Sequence, residues 1–389
     1  MNVKKGDGSN VILLIAMLLF QDTPDFSMQK SLRLPLFLMN IAVYSPFLEH
    51  IDKDKFIVQT SFLLAEQHPE HRFIIITDQK PVEHFSFYSN IEYHFEKPLS
   101  KNPLLKKVWW DIKLRAILKK VKADVFISFH NACSLTAVIP QIMMIQNLEK
   151  TRKARINKAR LLVVPNRLMK KKLIEKFEIR EEKITVIYQS ANKMYVPINE
   201  QENEAIKNKY SEGKEFFLFN SIFPGQKDLI NLLKSFSHFK KRQQSNFKLL
   251  VIASSNSFFE KSLESYKYRN DVRFIDLKDK SEEALIIASG YAAVLPFNTN
   301  EDMIAALNAI QSGVPVITVK DSIIYEVFGD AVLYSETEAT KDIGEKMMQV
   351  YTDENYRSKL IEKGKRVAGL YTSEKAAELL WQSIIKALE

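Results

Sequence analysis

The sequence predicts an α/β protein of two Rossmann-like, doubly wound domains facing a central cleft, and three observations lead there. From Met39 onward, apolar runs of strand length alternate with helix-like segments, the pattern of parallel βαβ units. A second such series begins at Phe216, after a polar and charged interval over 199–214. Finally, residues 296–317, PFNTNEDMIAALNAIQSGVPVI, read as strand end, loop, amphipathic helix, turn and strand. That order sets the loop at the carboxyl end of a strand and just before a helix N-terminus, where open α/β sheets take their ligands.

Composition narrows the classes. A chain of 389 residues with 46% apolar and 11% aromatic content has material for two or three well-filled domains. Its single cysteine, Cys133, excludes an internal disulfide and a cysteine zinc cluster, which fits a reducing compartment. Such a lone thiol is expected to be a small buried apolar residue. The formal charge of +9 is uneven: from Lys101 to Lys183 there are 21 Lys and Arg against 7 Asp and Glu, a local +14. One basic region suits an anionic membrane surface, a phosphorylated acceptor or nucleic acid, or is a solvated face. Lacking aromatic stacking motifs or a known module, the chain is not expected to bind nucleic acid. Glycine is scarce, 10 of 389 residues against a usual share of about 7%, which weighs against a glycine-built diphosphate cradle. HExxH, Walker, GxGxxG and GxSxG spacings are all missing, and neither metal nor resident cofactor is expected.

In chain order, residues 1–38 form an extension of their own. Lys4 and Lys5 precede the apolar run Val11 to Phe20, which is too short to span a bilayer and is followed by QDTPDF rather than a small-residue cleavage site. The two expectations for it are a start-site error and a membrane-touching extension. The first domain, 39–198, has strand-length runs at 41–44, 73–77, 91–95, 125–129, 142–145, 161–165 and 184–188, with a first helix near 55–67. In 102–121, NPLLKKVWWDIKLRAILKKV, the residues Leu105, Val108, Trp109, Ile112 and Ala116 recur at helical spacing beside a basic face. This stripe is expected to pack into the core; the other reading is a helix lying on a membrane surface. His130 closes the 125–129 strand at its carboxyl end, a cleft position. Asn166 is the expected cap of the helix that follows LLVVP. Residues 199–214 are a linker, 215–370 the second domain, and 371–389 a C-terminal helix packing back towards the first. The second domain's strands fall near 216–222, 249–253, 272–277, 292–296, 314–319 and 331–334.

The 296–317 stretch resembles the donor-site signature of the family 4 (group 1) glycosyltransferases of the GT-B fold. In that signature a proline precedes an E-G-F-G-L-P loop, a helix with a second glutamate, and a GVPVI strand. Gly313 to Ile317 match; Asn300 stands at the first glutamate, Asn308 at the second, and Glu301 and Met303 at the glycines. The likeness runs from Met39 to the C-terminus and includes the segment Glu326 to Leu333, EVFGDAVL. Other positions depart from the pattern: Gln146 and Asn147 replace a His-Asp pair, Ser190 a glycine, and Ser221 and Ile222 a Gly-Arg pair, whereas Lys227 matches a phosphate-binding lysine. Carboxylates at the helix N-terminus suit its dipole but repel phosphate, so capping is the favoured reading of Glu301 and Asp302 over acid/base work.

The resemblance implies a retaining, hexosyltransferase-type enzyme of polysaccharide biosynthesis that moves a sugar from a nucleotide-diphosphate sugar to a glycan or lipid-linked acceptor. His130 and Lys227 are the catalytic candidates, on the acceptor side and at the leaving diphosphate. Ser221, Lys227, Asn300, Glu301 and Asn308 are the donor-binding candidates. The expected place is cytoplasmic and peripheral to the inner membrane face, with the basic first domain touching anionic lipid. The alternative is a catalytically impaired GT-B protein that serves as a binding or scaffold partner of a glycosyltransferase, which the many departures favour together.

Overall fold

The computed structural model describes residues 38–45, 56–77, 89–96, 102–221, 226–253, 257–277, 279–296, 300–336 and 339–389. Residues 1–37, residues 46–55 and Ile222 lie outside it, as do the side chains of Asn300 and Glu301. Contacts set Met1–Leu38 apart from a compact unit over Met39–Glu389.

In the first half, β1 (Asn40–Tyr44), α1 (Phe56–Gln67), β2 (Arg72–Thr77) and β3 (Ile91–Phe95) lead into a broken helix. That helix consists of α2 (Pro103–Val108), a π turn (Trp109–Lys113) and α3 (Leu114–Lys120). Then come β4 (Val125–Ser128), β5 (Gln141–Met144), α4 (Lys153–Lys158), β6 (Leu161–Val164), α5 (Arg167–Phe177) and β7 (Ile184–Val186). The second half runs α6 (Glu200–Ser211), β8 (Phe216–Phe219), α7 (Gln226–Gln243), β9 (Lys248–Ile252), α8 (Ser257–Glu264), β10 (Val272–Ile275) and α9 (Lys280–Ala288). It continues through β11 (Ala292–Leu295), α10 (Asn300–Gln311), β12 (Val316–Val319), α11 (Ser322–Phe328) and β13 (Leu333–Ser335). The helices α12 (Thr340–Thr352), α13 (Glu354–Ala368) and α14 (Ser373–Leu388) close the chain.

Both sheets are parallel, and their strand orders are β3-β2-β1-β4-β5-β6-β7 and β10-β9-β8-β11-β12-β13. Both follow the 3-2-1-4-5-6 order of a doubly wound fold, with β7 added as a seventh strand in the first, so each has one point where the winding reverses, between β1 and β4 and between β8 and β11. The central strands of each sheet are mainly apolar and buried because helices cover both faces, whereas the edge strands β3 and β10 carry exposed polar residues. FFLF at β8 and AAVL at β11 are fully buried in one core that fills the second half. The faces of the first sheet carry separate cores. One gathers Ile41, Phe73 and Val125 with Leu64 of α1 and Ala377, Leu380 and Ile384 of α14. The C-terminal helix therefore packs on the first sheet, and Lys386 donates to the Glu182 carbonyl at 2.7 Å.

The broken helix corrects the sequence reading. Trp109 is buried as expected, but Leu105, Val108, Ile112 and Ala116 face solvent. The buried face is Trp109, Trp110, Leu114, Ile117 and Leu118, packed against Tyr44, Ile74 and Phe126. Two tryptophans bury more area than the smaller aliphatic stripe, and they decide which side turns inward. The buried Asp111 pairs with Arg155 at 3.0 and 3.2 Å and accepts from Leu135 N at 2.9 Å, fixing the π turn against the β4–β5 loop. Cys133 is fully buried, and burial pushes its thiol pKa up to about 12, so it is a packing residue rather than a nucleophile.

Candidate functional site

The second sheet's reversal lies between the carboxyl ends of β8 and β11, which is where the signature stretch falls. Asn220 and Ser221 leave β8, and α10 starts beyond the end of β11. Asn220 Nδ2 donates to the Ala305 carbonyl of α10 at 3.4 Å, bringing the two segments together. Asn308 lies one turn further along α10 and is 8% exposed. The oxygens Asn220 Oδ1, Ser221 Oγ and Asn308 Oδ1 are buried without a hydrogen-bond partner among the described residues, as is Thr318 Oγ1 on β12. Buried polar atoms are nearly always satisfied, so such oxygens at the exit of β8, on α10 and on β12 mark places for a polar ligand or water.

Lys227 is exposed in the first turn of α7. A cation there opposes the helix dipole, whereas an anion bound at the same end would gain from both. The backbones of Asn300 and Glu301 begin α10. Their neighbours Asp302 and Met303 point inward, both buried. Gly313 ends α10 with φ +79°, the left-handed turn that lets GVPVI start β12.

His130 stands at the first sheet's reversal, just past β4 and beside the end of β1. Its ring lies edge-on to Tyr44 at 6.2 Å and roughly parallel to Trp110 at 6.3 Å. Loss of hydration, together with Lys106 and Lys150, holds the imidazole pKa below its ordinary value, leaving a neutral ring able to accept a proton. No hydrogen bond or ion pair among the described residues joins His130 to Lys227 or Asn308; each domain holds its own candidates at its own reversal.

Several departures from the family pattern have structural work. Asn147 Oδ1 accepts from Glu149 N at 2.8 Å, and Asn131 Oδ1 accepts from Gln146 N and Asn147 N at 2.7 and 3.0 Å, so the amides build a turn. Ser190 Oγ lies 2.9 Å from Ser373 Oγ at the start of α14. Asn166 caps α5, accepting from Met169 N at 2.7 Å.

Sequence reasoning assigned no role to Glu326. Its carboxylate accepts from Arg167 N at 2.7 Å, Leu168 N at 3.2 Å and Tyr188 Oη at 2.5 Å. A residue of α11 thus satisfies the amides that open α5 in the other domain, and Tyr188 is held protonated by burial and by this carboxylate. These partners are more than 130 residues away in sequence, and no local pattern announces them.

Elsewhere, His68, Glu70 and His71 bring potential metal-binding atoms within 4.8 Å of one another. His71 Nδ1, however, accepts from Met39 N at 3.3 Å, which leaves the neutral ring's proton on Nε2, facing Glu70. A metal-bound imidazole donates from its second nitrogen instead, so the cluster reads as a hydrogen-bonded turn. It stacks on Trp381 of α14, with ring centroids 3.5 Å apart for His68 and 5.2 Å for His71.

Residues 200–367 match the family described as glycosyl transferases group 1, the family whose signature the 296–317 stretch resembles. Among solved structures, a glycosyltransferase from Rickettsia africae is 16% identical, with 90% of this chain and 98% of that one covered at a TM-score of 0.72. WaaG, a glycosyltransferase involved in lipopolysaccharide biosynthesis, is 15% identical over 88% and 99% at 0.64. The Anabaena protein HepE in complex with UDP is 10% identical over 90% and 99% at 0.67. At these identities the likeness shows the fold, which is GT-B. Comparison with curated protein sequences gives no match.

Proposed function

We propose that this chain is a retaining glycosyltransferase that moves a sugar from a nucleotide-diphosphate sugar to a glycan or lipid-linked acceptor on the cytoplasmic face of a membrane. The observation that carries it is that the oxygens of Asn220, Ser221 and Asn308, in the region that matches the group 1 glycosyl transferases, are buried without a partner among the described residues. HepE, which shares the fold, binds UDP and, in another structure, UDP-glucose.

In this reading Lys227 neutralises the diphosphate, Asn308 bonds the ribose, and Asn300 or Glu301 contacts the sugar. The anomeric carbon–oxygen bond to the diphosphate breaks while a bond to the acceptor oxygen forms on the same face. The acceptor's proton passes to the departing phosphate oxygen, so no enzyme nucleophile is needed. His130, neutral at its own reversal, orients the acceptor hydroxyl. The donor is a co-substrate, and no resident cofactor or metal takes part.

Calorimetry against uridine, guanosine and adenosine diphosphates and their sugar conjugates tests the donor site. One nucleotide is expected to bind, and Lys227→Ala to weaken it about ten- to a hundredfold, as expected for loss of one charge-assisted contact. No heat with any of them, from a folded sample, would sink the donor reading and favour the scaffold alternative.

A further inference from the structure

The broken helix has a second apolar face, and it is in water. Leu104 is 73% exposed, Leu105 55%, Val108 48% and Ile112 65%. Steps of four from 104 to 112 place three of them on one line, with Leu105 beside it. Val138, 87% exposed, is on the loop fastened to the same π turn, where Thr136 Oγ1 donates to the Asp111 carbonyl. Isolated exposed aliphatics are ordinary, but a line of them on one helix marks a contact surface.

The surroundings say what that contact is. Lys106, Lys107, Arg115 and Lys119 are exposed around the strip. The one carboxylate between 102 and 120, Asp111, is buried against Arg155. An aliphatic strip edged by lysines, with no exposed acid among residues 102–120 and with Glu96 paired to Lys113, complements a surface that is apolar inside and anionic at its rim, and long lysines reach from one zone to the other. The strip starts at the carboxyl-end side of the first sheet, where Lys106 is near enough to act on the His130 imidazole.

We propose that Leu104, Leu105, Val108 and Ile112 insert into the interface of an anionic lipid bilayer, with the flanking lysines and arginine on its headgroups. The orientation presents the acceptor side of the cleft to the lipid, which rests on the lipid-linked acceptor reading above; the docking surface itself does not.

The test is co-sedimentation of the full chain with phosphatidylcholine vesicles, with and without phosphatidylglycerol. Binding is expected only with phosphatidylglycerol present, weakening as salt rises. Val108→Asp with Ile112→Asp, and separately Lys106→Glu with Lys107→Glu, are each expected to lower the partition about tenfold or more, at exposed positions where the fold tolerates them. Both variants should keep whatever nucleotide binding the parent shows, so loss of donor binding and loss of lipid binding are read separately. No binding of the parent to anionic vesicles, or equal binding by parent and both variants, overturns the proposal. A dimer of the parent that Ile112→Asp dissociates would assign the face to a second copy and overturn it equally.

Discussion

The two sheet reversals occupy equivalent places in equivalent folds yet have opposite chemistry. At β1/β4 the side chains are aromatic and cationic: Tyr44, Trp110 and His130, with Lys106 and Lys150 close by. At β8/β11 they are amides and hydroxyls, Asn220, Ser221 and Asn308, whose oxygens are buried without a hydrogen-bond partner among the described residues. The first is braced by a buried ion pair, and among its described polar atoms the Trp109 indole N–H is buried without a partner. The second is left incomplete by its own domain. Strand order sets where a site lies, and the side chains at the strand ends set which partner it can take.

The largest expected effect breaks the brace. Asp111→Ala strands the Arg155 guanidinium in the core and should lower stability by about 3–5 kcal/mol in denaturant unfolding, whereas replacing both residues with apolar ones of similar size should recover much of it. Retention of full stability in the single variant would remove the ion pair from the account of the first reversal. Next is the bond between the halves. Glu326→Ala leaves two helix-opening amides and the Tyr188 hydroxyl to water, for a loss of about 2 kcal/mol and a larger radius of gyration by small-angle scattering. An unchanged scattering profile would show that the domains are held together by other contacts.

At the second reversal, Asn308→Leu removes a buried oxygen without a partner, so stability should stay level or rise. Nucleotide affinity should fall about fivefold, the equivalent of one neutral hydrogen bond of about 1 kcal/mol. Affinity unchanged by calorimetry would mean that Asn308 is not a ligand. The smallest effect is a pH dependence. Burial lowers the pKa values of His68 and His71 below 6.5 although Glu70 opposes the shift. The unfolded chain then binds protons more readily, so stability present above pH 6.5 is lost as pH falls through the lower folded values. Thermal melts followed by tryptophan fluorescence, which includes Trp381 under the two rings, should show this loss, and His68→Gln with His71→Gln should flatten it.

The sequence by itself determined the two βα series, their parallel strands and the helix that follows β11, because continuous apolar runs and the Gly313 turn are local signals. It also placed Asn308 on its helix through the spacing to GVPVI, and Lys227 just after the first strand of the second series. Tertiary structure alone decided which face of the 102–121 helix turns inward. Periodicity reports that an apolar stripe exists, but only competition for the same core showed that the two tryptophans take it and leave Leu105, Val108 and Ile112 outside. It alone also joined Glu326 to Arg167, and Asp111 to Arg155. Those bonds depend on chain segments that are distant in sequence and meet only when the sheets are wound, and no local pattern carries that information.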